Sequence, residues 1–384
     1  MQHALRSDID PDGLLEFSVV YTDRALNHMS KQFQQVMNDL SQNLKDVYHA
    51  YAVAMIPGGG TFAMEAVARQ LATDKKCLIL RHGWFSYRWT QILQTDKISD
   101  DITVITAKTK PCQQNPQTPI FIPTPIDEVT DIIHQQKPQI VFAPHVETAS
   151  GIMLSDDYIR TLADAVHKVG GLLVIDGIAS GCVWLDMQDL GIDVLLSAPQ
   201  KGWSSTPCAG LVMLSKQAVC ALDNTVSTSF SLDLKQWLNI MQAFENGGHA
   251  YHATMPTDSL KILRDTLNEA KQIGFAKLKS AQIELGEKVR ELLEQHGYQS
   301  ICDKNDQAFG VIVCYTDRDD IHKGVAFLQQ GVQIASGVPL KVGEPDDFKT
   351  FRVGLFGLDK LKDVDATVAR LKTALQAVNK TTKS

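Results

Sequence analysis

The stretch that decides the fold is LLVIDGIASGCVWLDMQDLGIDVLLSAPQKGW, residues 172–203. It opens with an apolar run, Leu172–Ile175, that ends at an acid, Asp176. A second apolar run, Val194–Leu196, leads to Lys201. Such runs are typical of strands buried on both faces of a parallel sheet. Because ligands of open parallel sheets bind outside the carboxyl ends of the strands, the sequence predicts that Asp176 and Lys201 share one site.

A lysine and an acid at one sheet edge are the pair that pyridoxal 5'-phosphate (PLP) requires. The lysine forms a Schiff base with this cofactor, and the carboxylate keeps the pyridine nitrogen protonated, so that the ring withdraws electrons from the substrate. Both residues also have ordinary explanations, because strand-end acids often cap helices and lysines are usually solvated. Taken alone, the pair therefore leaves PLP binding as one hypothesis among others.

The composition excludes several kinds of partner. The chain has 384 residues, of which 44% are apolar, and a net charge of -7, so more than one domain is expected. It contains no basic block, no transmembrane-length apolar run and no signal-peptide pattern, so neither nucleic acid nor a membrane is an expected partner. Its seven cysteines include no CxxC pair and no metal-ligand spacing, so we expect reduced thiols, no metal site and a cytoplasmic location.

A glycine-rich turn follows the first predicted strand, Ala52–Ile56. The turn, PGGGT at residues 57–61, stands at the start of a predicted helix. Glycines allow an anion to approach the backbone, and a helix N-terminus offers free N–H groups and a positive dipole end. The segment is therefore either a phosphate cradle or a tight turn without a ligand.

Two more predicted strands end in polar or aromatic residues. Cys77–Leu80 precedes an aromatic cluster at residues 84–89, which could stack on a planar ring or pack around the following helix. Gln139–Ala143 precedes His145 and Glu147. Because no third ligand accompanies these two side chains, hydrogen-bonded structural roles are favoured over a metal site.

The order of the predicted elements defines the domains. Strands and helices alternate from Ala52 to Ser215, around a proline-rich loop at 111–125 without assigned chemistry, which predicts a largely parallel sheet covered by helices on both faces. A long helical pattern, Ser259–His296, is interrupted near Gly274 and leads into short strands and helices. We therefore expect an N-terminal arm at 1–30, a large domain at 31–258 and a small α+β domain at 259–384.

In this order, the segments PGGGTFAMEA, HVETASG, VIDGIAS, SAPQKGW and FRVGLFG resemble the class V aminotransferases, which have fold type I of the PLP enzymes. The likeness is strongest to the alanine–glyoxylate and serine–pyruvate aminotransferase group, and it covers roughly Asn27 to the C-terminus. Each segment alone is weak, but their ordered occurrence is specific. The resemblance implies a large PLP-binding domain with a mostly parallel seven-stranded sheet, and a smaller α+β C-terminal domain.

The resemblance also implies a role for each matching residue. Lys201 resembles the Schiff-base lysine, which also moves the proton at the substrate α-carbon, and Asp176 resembles the partner of the pyridine nitrogen. Arg352, in FRVGLFG, resembles the arginine that binds the substrate carboxylate. The other matches are Gly59, Gly60, Thr61 and Gln200 in the phosphate cradle, Phe85 stacked on the cofactor, Thr148 near its phenolic oxygen, and Tyr251 and Thr254, which reach the phosphate of the neighbouring subunit's PLP. A homodimer with shared active sites is therefore implied.

By resemblance, the activity is that of a ping-pong aminotransferase, which moves an amino group from a small amino acid, alanine or serine, to a 2-oxo acid, glyoxylate or pyruvate. Three departures from the family pattern lie around the substrate and leave the amino donor open. No Gly-Pro loop is evident near Leu14–Tyr21, and Asn27-His28-Met29 stands where relatives have a His-Arg pair. Lys201-Gly202-Trp203 with a single Pro207 replaces Lys-Xaa-Leu followed by two prolines.

Alternative functions remain. One is another class V reaction, namely phosphonate aminotransfer, a lyase reaction or cysteine desulfuration. A desulfurase would stack a histidine on PLP, where this chain has Phe85, and would need a catalytic cysteine that Cys302 and Cys314 do not clearly supply. Another is a non-catalytic protein of the same fold, against which the intact Lys201 and Asp176 argue.

Overall fold

The computed structural model of the protein describes residues 4–112 and 118–380, so the middle of the proline-rich loop lies outside the described residues. The helices of this part of the chain are α1 (Lys31–Tyr48), α2 (Gly60–Leu71), α3 (Trp84–Thr95), α4 (Ile126–Gln136), α5 (Asp156–Lys168), α6 (Met187–Leu190), α7 (Lys216–Leu222), α8 (Leu234–Glu245), α9 (Thr257–Ile273), α10 (Phe275–Gln295), α11 (Asp319–His322), α12 (Val325–Leu328), α13 (Leu358–Lys362) and α14 (Val364–Lys380). The strands are β1 (Ala52–Pro57), β2 (Cys77–Arg81), β3 (Ile102–Thr106), β4 (Lys108–Lys110), β5 (Ile120–Ile122), β6 (Ile140–Pro144), β7 (Val146–Glu147), β8 (Ile152–Met153), β9 (Leu172–Asp176), β10 (Val194–Ser197), β11 (Ala209–Leu214), β12 (Val311–Tyr315), β13 (Ala335–Ser336) and β14 (Thr350–Gly354).

The main sheet of the described chain has seven strands in the order β1-β11-β10-β9-β6-β2-β3. The neighbouring pairs from β10 to β3 are parallel, whereas β11 is antiparallel to both β1 and β10. The expected mostly parallel, seven-stranded sheet is confirmed. Strand β11 runs the other way because a loop without a helix joins it to β10, and only an antiparallel neighbour can be reached by such a short connection. That loop carries Lys201.

The central strands are buried along their whole length, as their continuous apolar runs predict. Every residue of β9 and β10 is buried, so the sheet is covered on both faces at its centre. Helix α1 buries one apolar face through Phe33, Val36 and Leu40, at the spacing of an amphipathic helix. The Ser30 hydroxyl caps its first turn by accepting a hydrogen bond of 3.1 Å from the Phe33 amide.

The long helical pattern after residue 257 consists of two helices. Helices α9 and α10 are separated at Gly274, whose φ of 100° lies in a region that favours glycine. Helix α10 buries Leu278, Leu285 and Val289. Beyond α10, strands β12, β14 and β13 form a three-stranded antiparallel sheet, and β14 carries Arg352.

The described part of the N-terminal arm, residues 4–30, contains turns but no helix or strand. Its apolar side chains Leu14, Phe17 and Val19 are exposed on the single chain. None of the helices between residues 4 and 112 or 118 and 380 is long and apolar enough to cross a membrane.

Candidate active site

A cavity of about 250 Å³ lies at the carboxyl ends of the main-sheet strands. It is lined by Gly60, Thr61, Met64, Phe85, Arg88, Val146, Thr148, Asp176, Ile178, Ala179, Gln200 and Lys201. The fold thus brings together, from the ends of five strands, seven residues that the sequence singled out. Two larger cavities, of about 610 and 630 Å³, are lined mainly by the loop at 337–348 and by the arm, and neither includes Asp176 or Lys201.

Asp176 is the buried acid of this cavity, with 8% of its surface exposed. Its Oδ1 accepts a hydrogen bond of 3.0 Å from the Ile178 amide. Burial raises the pKa of the Asp176 carboxyl to about 6, and the nearby Glu147 carboxylate adds to this rise. The Ile178 hydrogen bond and the positive charges of Arg88 and Lys201 act against it. The site therefore holds a carboxylate whose charge is only partly compensated by the protein.

Lys201 faces the same cavity, with its Nζ 5.3 Å from the centre of the Phe356 ring. Burial lowers the pKa of the Lys201 amine, and the positive charges of Arg352 and Arg88 lower it further, while Asp176 opposes them. A lowered pKa increases the share of neutral amine, which is the form that attacks a carbonyl carbon.

The loop that carries Lys201 is held by a close contact between two glycines. A Cβ atom on Gly202 would lie 2.2 Å from the backbone oxygen of Gly181, so no side chain fits there. Two residues further on, Ser204 has a φ of 57°, and its hydroxyl accepts a hydrogen bond of 3.1 Å from the Leu358 amide. The packing of this loop against Gly181 therefore requires glycine at position 202.

The glycine-rich turn places the N-terminus of α2 at the cavity. A Cβ on Gly60 would lie 2.5 Å from Ile178 Cδ1, whereas a Cβ on Gly59 would meet nothing within 4 Å. The first amides of a helix have no intrahelical partner, so those of α2 are available to an anion beside the Thr61 hydroxyl. Gly59 immediately precedes α2 but is not among the residues that line the cavity.

Two arginines lie next to the ring of Phe85. The Arg352 Cζ is 5.4 Å and the Arg88 Cζ is 4.9 Å from the centre of its ring. Arg352 is anchored from β14, where its Nε donates a hydrogen bond of 2.8 Å to the backbone oxygen of Ser336. Arg352 is thus placed next to the cavity, although it is not one of the lining residues.

Glu147 fixes the start of α3, which carries Phe85. Its carboxylate is fully buried and accepts hydrogen bonds from the Ser86 amide at 2.8 Å and the Ser86 hydroxyl at 2.6 Å. His145 is also buried, with its Nδ1 2.6 Å from Ser180 Oγ. Both side chains are hydrogen-bonded, as the sequence interpretation expects. No group of three His, Cys, Asp or Glu side chains within the described ranges is placed to hold a metal ion.

Two of the expected site residues lie elsewhere on the single chain. Tyr251 and Thr254 do not line the cavity; both are exposed, and their hydroxyls lie 3.1 Å apart. Conversely, Arg88 lines the cavity but is missing from the sequence prediction. The sequence does contain an indication of this position. Arg88 follows Phe85 by three residues in a helix, and residues at that spacing are neighbours on one helix face.

The residues present fit PLP. They supply an amine, a buried carboxylate, an aromatic ring, two hydroxyls and an amide side chain, next to a helix N-terminus that suits a phosphate. The open space above Gly59 leaves the backbone there accessible to an anion.

Comparison with known proteins identifies the family. A family model described as "Aminotransferase class-V" matches residues 15–365. The alanine–glyoxylate aminotransferase of Felis catus is 26% identical over 368 residues, which cover 91% of this chain and 82% of that protein. The serine–glyoxylate aminotransferase of Hyphomicrobium methylovorum is 24% identical over 341 residues, covering 86% and 78%.

The fold is shared with a solved structure, alanine–glyoxylate aminotransferase from Nostoc sp. Its TM-score is 0.77 at 22% identity, covering 92% of this chain and 89% of that one. Because the family match spans most of the sequence, the chain belongs to the class-V aminotransferases, the PLP-dependent transaminases with fold type I.

Proposed function

We propose that this cavity transfers the amino group of a small amino acid, alanine or serine, to a 2-oxo acid, glyoxylate or pyruvate. The observation that carries the proposal is that Lys201, whose pKa is lowered, and the buried Asp176 line one cavity with Phe85. Arg352 lies next to the ring of Phe85. The names of the Felis catus and Hyphomicrobium methylovorum relatives pair alanine or serine with glyoxylate.

When bound, PLP supplies an electron sink for the bonds of the substrate α-carbon. Lys201 is the amine that would hold this cofactor and move the proton at the substrate α-carbon. Asp176 would pair with the pyridine nitrogen, and its deep burial suits that task because a charged nitrogen would compensate its charge. Gly59, Gly60, Thr61 and Gln200 would hold the phosphate, while Thr148 would contact the phenolic oxygen.

Substrate orientation is assigned to Arg352 and Phe85. A planar guanidinium can bind a carboxylate through two parallel hydrogen bonds, which fixes the direction of the amino acid. Only the Nε of Arg352 is engaged by Ser336, so the two terminal nitrogens can serve this role. Phe85 would stack on the cofactor ring, between the carboxylate-binding arginine and the phosphate cradle.

The active form is proposed to be a homodimer with shared sites. Tyr251 and Thr254 are exposed together on one chain, which is compatible with a contact to a partner's cofactor phosphate. Large apolar side chains are exposed in the arm and near this segment, including Phe17, Val19 and Phe230. An exposed apolar surface of this kind marks an interaction site. All seven cysteines are free, which supports a cytoplasmic location.

The test is to reconstitute the protein with PLP, reduce it with borohydride and map the labelled peptide. The label is expected on Lys201, and a label on another lysine contradicts the assignment. A screen of amino donors against glyoxylate and pyruvate then identifies the substrates. Faster turnover of an aminophosphonate than of alanine, serine or any other amino acid would replace the proposed function by phosphonate aminotransfer.

A further inference from the structure

Arg88 lines the cavity, but neither the cofactor contacts nor the substrate contacts proposed for this site involve it. It follows Phe85 by three residues in α3, and its half-buried side chain lines the cavity. Its Nη1 donates a hydrogen bond of 3.1 Å to the Thr61 hydroxyl, at the N-terminus of α2. Its Cζ lies 4.9 Å from the centre of the Phe85 ring. The guanidinium therefore connects the glycine-rich turn to the aromatic residue.

Arg88 forms no ion pair with an acidic side chain in the part of the chain that the structure describes. Among the residues that the structure describes, no carboxylate oxygen lies within 4.0 Å of its guanidinium. By contrast, Arg69, on the neighbouring helix α2, pairs with Glu65 at 2.7 Å and with Asp96 at 3.1 Å. A half-buried arginine without an acidic partner, directed at a helix N-terminus, is a site for an anion.

Two arginines next to one ring indicate two anionic groups. Arg352 is anchored to the backbone oxygen of Ser336, in the three-stranded sheet. Arg88 is anchored to the side chain of Thr61, in helix α2. The two guanidinium groups are thus held by different elements of the fold. One anion would be the substrate carboxylate proposed for Arg352, and the other would lie at the N-terminus of α2.

We propose that Arg88 supplies the positive charge that binds the phosphate group of PLP in this chain, together with Thr61 and the first amides of α2. The inference rests on the assignment of this cavity to the cofactor. The same charge lowers the pKa of Asp176 and of Lys201, so Arg88 also helps to keep the acid ionised and the amine neutral. Arg88 is therefore a binding residue with an electrostatic effect on both catalytic candidates.

The experiment compares two ligands, PLP and pyridoxal, which differ only in the phosphate group. Dissociation constants are measured by visible absorbance and tryptophan fluorescence for wild type, Arg88→Met, Arg88→Lys and Arg160→Gln. Arg88→Met keeps the length of the side chain without its charge, and Arg88→Lys keeps the charge. Arg160→Gln is the matched control, because Arg160 is half-buried on α5, as Arg88 is on α3, and pairs with Asp157 and Asp189 away from the cavity.

For Arg88→Met, PLP binding should weaken by about ten- to a hundredfold, the usual range for one charge-assisted hydrogen bond. Pyridoxal binding should change little, Arg88→Lys should fall between, and Arg160→Gln should match wild type. Arg88→Gln replaces the methionine variant if the latter does not fold.

Three results overturn the inference. The first is unchanged PLP binding by the neutral variants. The second is an equal loss for PLP and pyridoxal, which would limit Arg88 to positioning Phe85. The third is a raised KM for the amino acid with unchanged PLP binding, which would place Arg88 on the substrate. If wild type itself binds no PLP in this cavity, the proposed function fails, and this inference fails with it.

Discussion

Asp176 and Lys201 reach one cavity from two adjacent parallel strands. Asp176 ends β9 opposite Leu196 of β10, and the loop that leaves β10 carries Lys201. Asp176 is buried. Burial raises the pKa of its carboxyl and lowers the pKa of the Lys201 amine, so it favours the neutral form of each group. Such a pair suits a charged cofactor. Without the cofactor, it lowers the stability of the fold, because burying a charged group costs free energy.

The first prediction is a pH-dependent stability of the cofactor-free protein. Its source is the Asp176 pKa, which is raised from 3.8 to about 6. Between these values the folded state holds the proton that the unfolded state has released, so the free energy of unfolding falls as pH rises. Asp176→Asn removes this loss. The unfolding free energy of the variant minus that of wild type should therefore increase by about 2 kcal/mol when the pH is raised from 4.5 to 7.5.

The measurement is urea denaturation of the cofactor-free proteins at both pH values. Asp100→Asn, at an exposed position outside the cavity, is the control and should show no gain. A constant difference between Asp176→Asn and wild type at the two pH values would show that Asp176 is ionised throughout. With PLP present, the order should reverse, because the variant lacks the partner of the pyridine nitrogen.

The second prediction concerns the contact of Gly202 with Gly181. An alanine at position 202 would place its Cβ 2.2 Å from a backbone oxygen, so the loop must move. Gly202→Ala should lower the free energy of unfolding by about 1–3 kcal/mol, as overpacking does. It should also weaken PLP binding, because Lys201 is the adjacent residue.

The control is Gly248→Ala, whose new Cβ would meet its first neighbour at 3.4 Å. Thermal unfolding and PLP titration of both variants separate a general effect of alanine from the glycine contact. Wild-type PLP affinity in Gly202→Ala would mean that the loop adapts without displacing the lysine.

The parts of the fold that could be predicted from the sequence are those that depend on local residue patterns. The strands β9 and β10 could be predicted because a continuous apolar run is enough to define a buried parallel strand. No element is predicted between residues 216 and 258, where the structure has α7 and α8. Helix α8 does carry an apolar face, through Leu234, Trp237 and Met241, so its pattern was available in the sequence.

The site residues likewise comprise some that the sequence could predict and others that it could not. Asp176 and Lys201 could be paired because strand ends of a parallel sheet share an edge. The spacing of Arg88 from Phe85 indicates a shared helix face. Its contact with Thr61 could not be predicted, because that contact exists only where α3 packs beside α2. The direction of β11 also depends on pairing rather than on composition, since its apolar run would equally suit a parallel strand. The role proposed for Tyr251 and Thr254 requires a second chain, which the sequence of one chain cannot position.

The third prediction tests whether the active site is shared. Lys201→Ala and Tyr251→Ala should each be almost inactive as separate dimers. When the two are unfolded together and refolded as a mixture, hybrid dimers should regain activity. In a hybrid, the intact Lys201 of one subunit meets the intact Tyr251 of the other.

Light scattering checks that both variants are dimeric before mixing. A mixture that stays as inactive as its parents, although hybrids form, would show that Tyr251 acts within its own chain. The control is a mixture of Lys201→Ala with Lys201→Arg, in which no arrangement restores an intact site.

The last prediction concerns Arg352, and it separates substrate binding from cofactor binding. An α-amino acid must present its carboxylate in a fixed direction, so that its Cα–H bond stands perpendicular to the cofactor ring. The Arg352 guanidinium is suited to this task because Ser336 fixes its Nε and leaves the fork of terminal nitrogens free. Removing such a charged partner typically costs about 2–5 kcal/mol, or roughly thirty- to several-thousand-fold in kcat/KM.

Arg352→Ala should therefore keep wild-type PLP affinity and visible absorbance but lose most of kcat/KM for α-amino acids. Arg352→Lys should fall between, because an ammonium supplies charge without the fork. Amines without a carboxylate should be affected far less than amino acids, whereas a variant that merely disturbed the site would slow both. Arg160→Gln again controls for the loss of one positive charge. Transamination of amino acids by Arg352→Ala within a few-fold of wild type would assign the carboxylate to another group, and Arg88 is the cation next to the same ring.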